Sequence, residues 1–126
     1  MKSFICALTA FCLLIVGGIV YTNYLDSVSQ SLIEQSDAFI ESAEDGDFSK
    51  TKEKFDSFKE YYLKKEKILY LMIDHEQIAT INTLTDAVEK YISCEDRNNT
   101  LAYGAMLRFQ FVNMPQEEVI SFENIL

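Results

Sequence analysis

A histidine between two carboxylates is the group in this sequence best equipped for chemistry: Asp74, His75 and Glu76 open the run DHEQIA. The zinc motif H-E-x-x-H begins in the same way, with two imidazoles one helical turn apart gripping the metal. Here Ala79 takes the second ligand position and His75 is the single histidine, leaving only carboxylates and Cys94 as further donors. A catalytic zinc is therefore not expected. Nucleophilic catalysis needs a base within hydrogen-bond reach of a Ser or Cys. His75 is expected instead at a helix junction, hydrogen-bonded to backbone or to a carboxylate of another helix. Cys94 lies in the acidic run CED, where negative neighbours disfavour its thiolate. The pairs Asp74 with Glu76 and Glu95 with Asp96 lack EF-hand spacing, and Asp45, Gly46 and Asp47 read as a turn. Gly46 and Gly104 stand alone, and Gly17 and Gly18 lie in an apolar run, so no phosphate loop is present. No catalytic residue, metal ligand or cofactor-binding residue is assigned.

The elements that would carry these residues are helices. In 126 residues there are 4 Gly and one Pro, too few breakers for a strand-rich domain. The first helix is expected to run through Tyr24 to Glu44, with Leu25, Val28, Leu32, Ile33, Phe39 and Ile40 at helical spacing. Gly46 ends it, and Asp47 or Ser49 caps a second helix over Lys50 to Ile73 with an apolar seam of Phe55, Phe58, Tyr62, Leu69 and Met72. Asp74 and Gln77 suggest a capping box for a third helix carrying Ile78, Ile81, Leu84, Val88, Tyr91 and Ile92. Ser93 to Thr100 reads as a loop, and Leu101 to Asn113 as a fourth and most buried helix. Pro115 then suits the first turn of a short last helix holding Ile120, Phe122, Ile125 and Leu126. Short connections favour an all-α fold, an antiparallel helical bundle or a stack of helical hairpins.

The segment Phe4 to Tyr21 is different, with 18 residues free of charge. At about 1.5 Å per residue it spans about 27 Å, enough to cross a bilayer once. Residues 1–25 thus read as an N-terminal transmembrane anchor and 26–126 as a helical domain. Lys2 precedes the run, whereas residues 23–49 hold seven acids and no base. The positive-inside bias then places the N-terminus in the cytoplasm and the domain outside. A cleaved secretory signal is the competing reading, with Val16 and Gly18 as the small pair, but the apolar run continues through Ile19, Val20 and Tyr21. Phe11 before Cys12 and Ile5 before Cys6 do not suit a lipoprotein signal. With Cys94 the one thiol of the domain, packing rather than a disulfide must stabilise it.

Net charge is −9, which opposes binding to nucleic acid. Seven lysines lie in residues 50–67, but Glu53, Asp56, Glu60 and Glu66 dilute their field; they form a solvated helix face, or a contact with anionic lipid or the acidic first helix. Three stretches, AEDGDF at 43–48, LMIDHEQI at 71–78 and SFENIL at 121–126, resemble the domain-of-unknown-function family 4363, small bacterial proteins with an N-terminal hydrophobic helix. Tyr61 or Tyr62 stands where that family would carry tryptophan. The resemblance brings no activity, cofactor or catalytic residue, and it implies a multi-pass membrane protein as partner. Together these features suggest a non-enzymatic interaction module of the bacterial cell envelope, single-pass in the cell membrane, binding another envelope protein or itself. A ligand-sensing bundle acting through a membrane partner is the alternative, as is a secreted helical protein after signal cleavage.

Overall fold

The computed structural model describes the backbone of residues 1–125 and the side chains of residues 1–115. Its described residues form four helices and no strand: α1 Lys2–Glu44, α2 Phe48–Met72, α3 His75–Ser93 and α4 Arg97–Ile125. Each helix packs closely on its two neighbours in the ring α1, α2, α3, α4, and α2 and α4 meet across the diagonal through core rings such as Phe58 and Phe111. The connections span only a few residues, so successive helices run antiparallel, in the up-down-up-down arrangement expected of short turns.

Local chemistry accounts for the turns. Gly46 takes φ +79°, a left-handed backbone that glycine adopts without a steric penalty, and it stops α1. Asp47 then caps α2 by accepting a hydrogen bond from the Lys50 amide at 3.1 Å. Asp74 caps α3 through the Glu76 amide at 3.1 Å. Gln77 does not close a capping box; it is buried, and its amide reaches the Gln110 carbonyl of α4 at 3.5 Å. The expected eight-residue loop before α4 is far shorter. Glu95 (φ 54°) makes the turn, and Asp96 starts α4 at Arg97 by accepting bonds from the Asn99 amide and side chain at 3.2 and 2.8 Å. The Arg97 guanidinium then reaches back to the Glu44 carbonyl at 3.0 and 3.2 Å, placing a cation on the negative end of α1.

The core is a seam repeating in steps of three and four. α1 contributes Leu25, Val28, Leu32 and Phe39, α2 contributes Phe55, Phe58, Tyr62 and Leu69, and α3 contributes Ile78, Ile81 and Val88. From α4 come Leu107, Phe111 and Met114. Phe39, Phe55, Phe58, Tyr62 and Phe111 form a ring cluster with centroids 5.3–6.4 Å apart. Gly104 lets α4 approach α1 closely: a Cβ there would stand 3.1 Å from Ile40 and 3.3 Å from Phe39. The sequence marks α4 as the most buried helix, yet its Met106 and Phe109 are 51% and 59% exposed.

Nor does Pro115 start a new helix; α4 passes through it unbroken. A proline lacks the N–H that would bond the carbonyl four residues earlier, here Phe111. That carbonyl is met from outside the helix, by the buried Ser29 hydroxyl of α1 at 2.5 Å. The side-chain packing expected for Ile120, Phe122, Ile125 and Leu126 lies outside the described residues.

This arrangement makes Ser29 and Pro115 energetically coupled. Ser29→Ala should cost about 1–2 kcal/mol, because it leaves a buried carbonyl unpartnered. In a Pro115→Ala background the restored amide can serve that carbonyl, so the same Ser29→Ala change should cost clearly less. Urea melts of the four proteins measure the coupling, and additive costs would show that the serine does not compensate for the proline.

Candidate functional site

The two residues singled out for chemistry do not meet. His75 is the first residue of α3 and Cys94 lies just past its last, so about 28 Å of helix separates them. His75 is exposed, and its ring lies edge-on to Tyr70 of α2 with centroids 5.4 Å apart, rather than against a carboxylate of another helix. Asp74 is occupied as the α3 cap. Among the described residues no three His, Cys, Asp or Glu side chains gather closely enough to hold a metal ion. Cys94 is exposed at the α3 C-terminus, beside an open hollow lined by Lys59, Asp86, Glu89, Lys90 and Ser93. Lys59 and Glu89 pair across that hollow, so its charges neutralise one another.

A second hollow was not foreseen. It lies between α3 and α4, lined by Thr80, Leu84, Ala105, Met106, Phe109 and Gln110. It is shallow, mostly apolar, and lies on the side of α4 turned away from α1. The spacing Thr100, Gly104, Leu107, Phe111, Met114 holds the signal: one face of α4 supplies the core, which leaves Ala105, Met106 and Phe109 on another. The apolar residues of α4 cover more than one face, so its composition does not separate this face from the core. Another exposed apolar region is α1 itself, where Phe4, Ile5, Leu8, Phe11, Leu13, Leu14, Ile15, Val16, Ile19 and Val20 contact none of the bundle core. That part of α1 is long and apolar enough to cross a membrane.

Electrostatics inside the bundle centre on Tyr62, whose hydroxyl donates to Asn82 Oδ1 at 2.7 Å. Burial, reinforced by the nearby Glu66 and Tyr70, holds its phenol far above the ordinary tyrosine range. It stays protonated in the folded state while tyrosines of the unfolded chain ionise near about pH 10. The folded value is the raised one, so the Tyr62 contribution is complete below about pH 10 and is lost as pH rises beyond it. Tyr62→Phe should therefore lower stability at neutral pH by about 1 kcal/mol through the lost hydrogen bond, and flatten the alkaline decline in Tm. An equally steep decline in the variant would place the alkaline sensitivity elsewhere.

Comparison with known proteins adds one relation. No curated protein and no solved structure matches the chain. A family described as Domain of unknown function (DUF4363) matches residues 19–125, from the last residues of the exposed apolar stretch through all four helices. The match takes in the Gly46 turn, the α2–α3 junction at Asp74 and His75, and α4 to its end, so the chain belongs to the DUF4363 family.

Proposed function

We propose that this chain is a non-enzymatic, single-pass membrane protein whose helical bundle stands outside the cell membrane and docks a second protein of the same envelope. The observation that carries the reading is the division of α1 into two halves without a break. From Phe4 to Val20 its large apolar side chains are exposed, and from Leu25 to Ala43 it packs into the bundle core. A contiguous apolar surface of this size is untenable in water and is satisfied by lipid. Orientation follows from charge: Lys2 precedes the span, and residues 23–49 offer no base. The docking role is supported by the apolar hollow of Leu84, Ala105, Met106 and Phe109, while His75 and Cys94 stand too far apart to act together.

Exposed Cys94 reports the topology. A membrane-impermeant maleimide added to intact, wall-stripped cells should label the full-length chain, and Cys94→Ser should abolish the label. Labelling only after lysis would place the bundle in the cytoplasm, and a labelled, shortened species in the medium would mean that the span is cleaved. Docking is tested separately by a photoreactive residue in place of Phe109. It should crosslink one discrete membrane species, and Met106→Glu should weaken that crosslink at least about tenfold, since a charge would enter an apolar contact. Crosslinking no stronger than from exposed Ser57 of α2 would overturn the docking role.

A further inference from the structure

The end of the bundle nearest the exposed half of α1 has a surface of its own. The Tyr21 hydroxyl donates to the Met72 carbonyl, which ties the last turn of α2 to the point where α1 enters the bundle. Lys65 Nζ lies 5.7 Å from the Tyr24 ring and 5.6 Å from the Tyr61 ring, holding the two helices in the same register one turn further along. On this last turn Leu71 is 86% exposed, and Ile68 and Tyr70 are also exposed. Lys64, Lys67, Ile68 and Leu71 follow one another at steps of three, one and three, so they share one outward face of α2.

We propose that this face is a second, peripheral membrane contact: Tyr70 and Leu71 enter the edge of the bilayer that α1 crosses, and Lys67 meets lipid phosphates together with Lys64, which exchanges its exposed Glu60 partner for them. The inference rests on the anchoring reading above. Its physical basis is height. The headgroup layer is about 5–7 Å thick on each side of the hydrocarbon. Leu71, one residue from Met72, lies within about 2 Å of the Tyr21 level, at the hydrocarbon edge. Lys67 stands about 7 Å further out and Lys64 about 12 Å, where long flexible stems bring ammonium groups to phosphate level. Tyr70 adds an aromatic ring with a polar tip, the type favoured at that depth. Asp74 and Glu76 face the same level from the α2–α3 turn; Asp74 is engaged with the Glu76 amide, which leaves the apolar turn as the main contact and the lysines as its electrostatic complement.

The test uses the full chain in vesicles of equal parts phosphatidylglycerol and phosphatidylcholine, with Cys6, Cys12 and Cys94 replaced by Ser. An environment-sensitive fluorophore is placed at Leu71→Cys, Leu14→Cys or Met106→Cys and quenched by lipids spin-labelled at shallow or deep positions. The Leu14 label should be quenched from the deep position, the Leu71 label from the shallow one, and the Met106 label by neither. Lys64→Glu with Lys67→Glu should reduce quenching at Leu71 at least about twofold, and an unchanged signal would remove the lysines from the contact. Quenching at Leu14 but not at Leu71 overturns this inference and leaves the anchor standing. No quenching at Leu14 overturns the anchor, and this inference with it. Self-quenching of the Leu71 label between copies, without quenching by lipid, would assign the face to a second chain instead.

Discussion

Everything in this structure is referenced to one uninterrupted helix. α1 packs on both α2 and α4, whereas the direct contact between α2 and α3 is the slightest of the four neighbouring pairs. Its inward stripe alternates large residues, Leu25, Leu32 and Phe39, with small ones, Ser29, Ser36 and Ala43. The small positions let neighbouring backbones approach, and Gly104 of α4 makes room for the large Phe39 and Ile40 of α1. Small residues on facing helices are also where main-chain polar groups come within reach of side chains. Ser29 uses that closeness to serve the Phe111 carbonyl.

Buried polar side chains among the described residues are nearly all partnered, Ser29 and Gln77 by carbonyls of α4 and most of the others within their own helix. Ser36, Thr51 and Thr85 turn their hydroxyls back to the carbonyl four residues earlier, at 2.7–2.8 Å. Thr100 is the exception among the described residues, with a buried hydroxyl that has no partner. It sits in the first turn of α4, next to the short Cys94–Asp96 connection. The outer ion pairs, Arg108 with Asp37 and Lys64 with Glu60, lie on the surface, where such pairs stabilise little.

Much of the fold was legible in the sequence because its signals are local. The long reach of α1, the Gly46 stop, the Asp47 and Asp74 caps and the α2 seam each depend on residues a turn or two apart. What was not legible depends on other helices. Pro115 reads as a boundary unless one knows that Ser29 relieves the carbonyl behind it, and Gln77 reads as a cap partner unless Gln110 is seen across from it. The loop before α4 looked long because SCEDRNNT is polar throughout, yet Asp96 needs only Asn99 to begin a helix. The site was the least legible part. Met106 and Phe109 belong to the helix whose apolar composition marks it as the most buried, and only the packing of α4 on α1 decides which of its apolar faces is left outside.

The absence of a hinge in α1 has a further consequence. From Tyr21 to Glu44 the unbroken helix adds about 36 Å of length. On the proposed anchoring, the Gly46 turn and the Cys94–Asp96 turn are carried together at that height, like the cap of a post, while the α2–α3 turn stays at its foot. The hollow of Met106 and Phe109 lies partway up the shaft. A partner must therefore present its own complementary surface within one protein diameter of the bilayer and approach from the side. That geometry favours low extracellular loops over tall ectodomains or the distant wall, and it limits the choice of partner by reach before any side chain makes contact.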